Sequence, residues 1–272
     1  MKSRILCLCT CVSVLLAAPP AAIAHDDDEE VIAYDEAEVF FELNNTDGDL
    51  GIHALIDGDA WKRLRIEDAD EERILDIKVH GRMRRQGLTE IFFESAEPRF
   101  DELPPASFFD RFPEGTYVIS GRTLEGDELE SETEITHAMP APANPKVNGA
   151  DVAIQCDDEA PGYDAPEVSD DDGVVIAWDP VIRTHPSLGD PQDSDDISIV
   201  NYEVVVESEL ETADGEEFVS ILSVILPPDV TEMTIPAEFL AGNDTFKYEV
   251  LAREESWNQT AIESCFLLEG DD

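Results

Sequence analysis

From residue 37 onward the apolar residues come in short runs, many alternating with polar ones, and turn signals separate the runs. A period of two puts one set of side chains on one face of a strand, which a helix cannot do. Residues 37–43 (AEVFFEL) predict a first strand, 44–49 (NNTDGD) a turn, and 50–56 the returning strand. Asp57-Gly58 predicts a second turn, into residues 61–66, because Asp-Gly between such runs is a strong hairpin signal. Residues 74–79, 88–93, 116–123 and 128–136 extend the set to about seven strands, a number that fits a sandwich. Pro104-Pro105 ahead of residues 106–112 predicts one short helical turn, with proline at its favoured start.

After a proline-rich segment, 139–145 (MPAPANP), the same grammar resumes. Residues 174–178, 199–207, 218–226, 233–236, 246–252 and 261–268 read as strands, and no long run has a 3.6-residue apolar period. The chain is therefore expected to be all-β, as two antiparallel β-sandwich domains over 37–138 and 146–268. Residues 139–145 would be a semi-extended linker between them and 269–272 an acidic tail.

The first 24 residues follow another rule. Lys2 and Arg4 precede an apolar stretch from Ile5 to Ala18, and Ala22-Ile23-Ala24 offers a small-residue cleavage site. That is the plan of a signal peptide, so the protein is expected to be secreted or periplasmic. Residues 25–36, dominated by Asp and Glu, are expected to form a disordered lead-in. No later stretch approaches the ~18 apolar residues of a membrane helix, so no membrane insertion of the mature chain is expected.

Composition then narrows the partners. The chain carries 64 acidic against 17 basic residues, a formal net charge of −47. Nucleic-acid binding and docking on anionic lipid both need basic surfaces, and this chain has the opposite. A surface kept solvated in a salty medium, or one that attracts cations, fits the balance. Cys7, Cys9 and Cys11 lie in the leader, leaving Cys156 and Cys265. An even number in an exported chain predicts a disulfide between these two; two buried free thiols are the alternative.

Several stretches of the second half resemble a fibronectin type III domain. Gly173-Val174-Val175-Ile176-Ala177-Trp178-Asp179-Pro180 resembles that family's second strand with its core tryptophan. Asn201-Tyr202-Glu203-Val204 resembles its third strand. Ile235-Pro236 with Phe239-Leu240, then Thr245–Ala252, resemble the passage into its sixth strand, with Phe246 where the family usually has the tyrosine-corner residue. The resemblance implies a fibronectin type III-like sandwich over about 146–268 and a role as spacer or binding module. Residues 179–198 form an unusually long, acidic connection within it.

Candidate chemistry is sparse. Asn45, Asp47 and Asp49 alternate as calcium ligands do, but Leu50 stands where an EF-hand loop needs glycine and Ile56 where it needs the bidentate glutamate. Asp47-Gly48 and Asp57-Gly58 are read instead as hairpin turns, and the acidic stretches 157–172 and 190–196 are comparable, equally remote calcium candidates. His25 would be N-terminal after cleavage and could chelate copper with the free amine, but it opens an acidic tail that would not preorganise a site. His53, His80, His137 and His185 stand singly. No nucleophile motif, phosphate loop or zinc signature occurs, so no enzyme activity, cofactor or metal site is expected. A basic island of Lys62, Arg63, Arg65, Arg73, Lys78, Arg82, Arg84 and Arg85 is offset by Glu67, Asp68, Asp70, Glu71, Glu72 and Asp76. Cross-strand neutralisation is its simplest role, and docking to an acidic partner the other. Asn44, Asn243 and Asn258 open glycosylation sequons. The expected function is that of a non-catalytic binding, adhesion or spacer protein with a protein or envelope-surface partner. The alternative is a carbohydrate-active or metal-dependent protein with an accessory β domain.

Overall fold

The computed structural model describes residues 31–157, 159–188, 196–211 and 217–269. The leader, its cysteines, His25 and most of the 190–196 loop lie outside them. The protein is all-β. In chain order the strands are β1 (Glu36–Asn44), β2 (Asp49–Glu67), β3 (Arg73–Lys78), β4 (Leu88–Glu94), β5 (Gly115–Thr123), β6 (Glu128–Ile135) and β7 (Lys146–Val147). Then come β8 (Glu167–Val168), β9 (Val174–Ala177), β10 (Ile199–Glu211), β11 (Glu217–Leu226), β12 (Glu232–Ile235), β13 (Thr245–Glu254) and β14 (Gln259–Leu268). Among the described residues two single-turn α-helices interrupt them, α1 (Pro105–Phe109) at the expected double proline and α2 (Ala237–Leu240), besides a 3-10 turn at Met83–Arg85.

One sheet runs through both halves of the chain. Its order is β11-β10-β13-β14-β1-β2-β5-β6, with β3 and β4 also on β2 and β8 on β14; β12-β9-β7 form a second, three-stranded sheet. The second sheet covers one end of the first. Val147, Val174, Ile176 and Ile235 from it share a core with Tyr202, Val204, Val206, Phe246, Tyr248 and Val250 from the large sheet. Trp178 packs its ring 5.3 Å from that of Tyr202, whose hydroxyl accepts the Val181 N–H at 2.8 Å. Phe246 stacks on Phe266 at 5.0 Å, so aromatic packing occupies the corner where no hydroxyl is present.

The N-terminal core is built around β2. Its first part pairs with β1 and β4, and its second part with β3 and β5. This corrects the expected turn at Asp57-Gly58, because the chain continues as a single 19-residue strand with irregular pairing between Asp57 and Trp61. Gly58 serves close approach instead: a Cβ there would lie 3.1 Å from the Tyr34 ring, and one at Gly121 would meet the Tyr34 hydroxyl. Tyr34 is buried between them, and Ile32 pairs with Leu129. Residues 31–35 are thus held against the sheet rather than forming part of a disordered lead-in; their apolar side chains outweigh the acidic composition around them.

Segment 139–145 is not a free linker. Met139 is buried in the N-terminal core and Ala143 in the C-terminal one. The Ala141 N–H donates to Arg183 O at 2.9 Å, and the Thr260 hydroxyl donates to Pro140 O at 2.8 Å. Cys156 and Cys265 are joined, with Cα atoms 5.7 Å apart across a separation of 109 residues.

Candidate functional site

The parallel pairing of β1 with β14 sets Glu42 beside Gln259 and Asn44 beside Ala261, which creates the junction between the two halves. The tight turn after β13, with Trp257 at φ 72°, delivers Asn258 into this seam. Asn258 is 0% exposed. Its Oδ1 accepts the Phe41 N–H at 2.8 Å, while its Nδ2 donates to Thr136 O at 2.8 Å and Ala138 O at 3.2 Å. The sequon residue therefore works as a junction bracket, and its side chain is sealed from any sugar in the folded protein. Thr46 ties β1 to β14 again: its hydroxyl donates to Glu263 O at 3.1 Å and accepts the Glu263 N–H at 2.9 Å. Arg253 lies over the Phe40 ring at 5.2 Å.

On the outer face of this seam the structure assembles a group that the sequence does not announce. Phe40 pairs with His53 and Glu42 with Gly51 across β1 and β2, so Glu42 and His53 share a face. Beyond β4, Ser95 exchanges bonds with Ile52, and the chain crosses back over the hairpin, carrying Glu97 onto the same face. Gly51 makes that possible, since a Cβ there would fall 2.4 Å from Glu97 Oε1. The result is an imidazole between two carboxylates: His53 Nε2 is 2.9 Å from Glu97 Oε1 and Nδ1 is 3.5 Å from Glu42 Oε2. His53 is 3% exposed and packs against Phe40 and Phe92. Gln259 donates to the Glu42 carboxylate from the far side of the seam.

The electrostatics follow from burial among like charges. Burial works to lower the His53 pKa, but the Glu97 hydrogen bond and the charges of Glu42 and Glu97 outweigh it and hold the pKa above the ordinary value. Burial raises Glu42, and the charges of Glu97 and Glu94 add to it against His53 and Gln259. Asp49 is pushed up to about 6, by burial first and then by Glu97, Asp47 and Glu263; its Oδ1 has no hydrogen-bond partner. Further along the same face Glu249 sits opposite Glu263 on β14, with Glu203 and Glu207 diagonal to it on β10. Burial first, then the charges of Glu42 and these neighbours, push it to about 8. A carboxylate row with few cations can hold protons near neutral pH and attract cations. As placed, however, Glu42 and Glu97 address opposite nitrogens of one ring. That geometry hydrogen-bonds an imidazolium; one ion could use His53 Nε2 and Glu97, with Glu42 orienting the Nδ1–H.

The residues singled out from sequence do not gather at one place. Asn45 and Asp47 engage different partners: the Asn45 amide oxygen meets His185 Nε2 at 2.9 Å, and Asp47 meets Arg99 at 3.5 Å. Asn44 Oδ1 accepts the Thr46 and Asp47 N–H groups and Gly48 takes φ 69°, which is turn chemistry. His137 stacks on Phe109 at 4.3 Å. In the basic island Arg63 grips Asp76 with both Nε and Nη2, and Arg73 and Lys78 lie within 4.0 Å of the same carboxylate. Arg82, Arg84 and Arg85 stand exposed around a 3-10 turn at Met83–Arg85.

No family model matches the chain, and no curated protein does. Among solved structures, the fibronectin(III)-like modules of Clostridium thermocellum CbhA align over 88% of this chain and 97% of theirs, at 12% identity and TM-score 0.26. A tetra-tandem repeat from the extending region of a large adhesion protein aligns over 86% of this chain at 8% identity and TM-score 0.25; this chain spans 49% of it. The human OSCAR ligand-binding domain aligns over 86% of this chain and 99% of its own, at 10% identity and TM-score 0.24. At these values the likenesses place the chain in no family.

Proposed function

We propose that the protein is an exported, non-catalytic spacer or binding protein. In this reading two β-sandwich domains, the second fibronectin type III-like, are held at a fixed angle, and their sheet surfaces do the work. One observation carries it: β1 and β14 pair across the boundary, and Asn258, wholly buried, bonds to the backbone of three residues in two segments of the N-terminal half. A bead-on-string arrangement would leave such groups to water, whereas a load-bearing or presenting module gains from a seam that cannot hinge. Spin labels at Glu132→Cys on β6 and Glu209→Cys on β10 test it. The expected result is one narrow distance distribution that broadens in Asn258→Ala; a broad distribution in the unsubstituted background overturns the spacer reading.

A second reading, a metal-dependent protein, rests on Glu42, His53 and Glu97, whose ligand atoms all lie within 4.8 Å of one another. Thermal melts with zinc and with EDTA decide it. A zinc-dependent rise that His53→Gln abolishes supports the metal; coincident melts dismiss it.

A further inference from the structure

The large sheet ends in two edge strands built on opposite plans. At one end β6 carries Glu128, Glu130, Glu132 and Glu134 at alternate positions. Part of that edge is also covered, since the Ile32 N–H donates to Glu128 O and the Glu130 N–H to Ile32 O, both at 2.9 Å. Charge and cover are the usual ways to stop a sheet from pairing with a neighbour. At the other end β11 has neither. Among the described residues it pairs only with β10, and from Phe218 to Leu226 (FVSILSVIL) it contains no charge, no proline and no glycine. In a chain of formal charge −47 that is an exceptional stretch. Leu222 and Leu226 pack toward the core, while Val219, Ile221 and Ile225 turn outward at 52%, 59% and 62% exposure, and Phe218 is 50% exposed at the strand's start.

We propose that β11 is an interface between two copies of this chain, which pair through it as antiparallel strands about a two-fold axis at Leu222. The strand is complementary to its own reverse. With residue i opposite residue 444 − i, Val219 meets Ile225, Ile221 meets Ser223, Ser220 meets Val224 and Phe218 meets Leu226, so no charge faces an apolar group. Both members of each pair have the same parity, so side chains keep their faces and outward-pointing N–H groups meet outward-pointing carbonyls. A two-fold contact needs this kind of self-complementarity.

Charge selects the occupant as well. Behind the apolar stripe lie Glu209, Glu207 and Glu203, opposite Val219, Ile221 and Ile225 respectively. In the paired state each acidic row sits three strand spacings, about 14 Å, from its copy. That exceeds the ~8 Å screening length at physiological salt, so the repulsion which keeps copies apart elsewhere is largely removed at this edge. Pairing through β6 would instead bring glutamate rows onto adjacent strands. The inference rests on the β11 edge and is independent of how stiff the junction is.

Sedimentation velocity over a concentration series, at low and then physiological salt, gives the first test. The expected result is a mass rising toward twice that of the chain, more readily at the higher salt. Ile221→Lys, on the solvent side and opposite Glu207, is expected to stay monomeric, with the melting temperature that the unsubstituted protein shows at concentrations too low for pairing. A variant that dimerises like the unsubstituted protein, or an unsubstituted protein that stays monomeric throughout, overturns the proposal. Register is read separately with Val219→Cys and Ile225→Cys. In the proposed pairing the two variants mixed form a disulfide joining position 219 to 225, identified by peptide mapping. Neither alone does so, because like positions lie about 20 Å apart. Self-linked Val219→Cys, or no link in the mixture, overturns the two-fold register.

Discussion

The two halves of the molecule reach a similar all-β result by different means. In the C-terminal half, two sheets close on a shared core, and a disulfide spans much of it. In the N-terminal half one 19-residue strand, β2, takes partners from β1, β3, β4 and β5, and supplies Leu50, Ile52, Ile56, Trp61, Leu64 and Ile66 to the core. The first plan distributes stability over two facing sheets and one covalent closure. The second gathers four partner strands onto one, and the seam to β14 adds to them. Where the seam couples them, the two halves should unfold as one.

The strongest way to break that comparison is to open the disulfide, which lies only in the C-terminal half. Closing a loop of this length constrains the unfolded chain by about 4–5 kcal/mol in the chain-entropy model. Replacing Cys156 and Cys265 by Ser should therefore lower stability by that order. If the seam couples the halves, calorimetry will show a single transition moved down in temperature. Two transitions, with the N-terminal one unmoved, would show two independent units.

Asn258→Ala attacks the seam itself. It leaves the buried Phe41 N–H without its acceptor and the Thr136 and Ala138 carbonyls without a donor, and unsatisfied buried groups cost about 1–3 kcal/mol each. A loss of about 2–4 kcal/mol is expected, with the single transition splitting in two. A cost below about 0.5 kcal/mol, the range of an ordinary surface change, would reduce the bracket to a bystander.

The outer face sharpens the contrast through pH. Glu249 has a folded pKa of about 8, above its unfolded value, so the folded state holds the proton more tightly. Its neutral form is fully compatible with the fold below the unfolded pKa, and stability falls as pH rises from there through about 8. His53 acts in the same direction. Its raised pKa contributes stability that is complete below the unfolded value and lost as pH rises through the folded one. Melting temperature should therefore fall between pH 5 and pH 9. Glu249→Gln should add about 1–3 kcal/mol above pH 8 and nothing near pH 4. Equal gains at both pH values would mean that repacking, not ionisation, is responsible.

What could be read from sequence divides along physical lines. Most long strands were legible, because period-two burial and turn chemistry are local: Asn44 to Gly48 turn where an Asx acceptor and a left-handed glycine coincide; the two-residue β7 and β8, too short to show a period, were not. The pairing of Cys156 with Cys265 was legible by number. Asp57-Gly58 misled, because the same dipeptide serves a turn or a close approach, and only Tyr34 decides between them. The Glu42–His53–Glu97 group was illegible. His53 lies 11 residues from one partner and 44 from the other, and a glutamate is unremarkable in a chain with 64 acidic residues. The role of Asn258 was masked by its sequon. One signal was available: Gly51 interrupts the apolar run 50–56 at a position where a strand gains nothing from glycine unless another group approaches.

That glycine supplies the smallest and most local test. In Gly51→Ala the new Cβ would overlap the Glu97 carboxylate, which ends a flexible side chain and can swing away at little cost, within about 1 kcal/mol. Stability near neutral pH should scarcely change. The His53 imidazole, however, loses its 2.9 Å partner while its burial remains, and burial alone favours the neutral ring. NMR titration should find its pKa moved down from that of the unsubstituted protein, and the pH dependence of the melt should flatten. Glu42→Gln should lower the same pKa while leaving Glu97 in place, so the two variants divide the carboxylates' contributions. An imidazole that titrates identically in all three proteins would mean that Glu97 and Glu42 do not hold its proton, and the outer face of the N-terminal half would then not share the proton storage expected at Glu249 in the other.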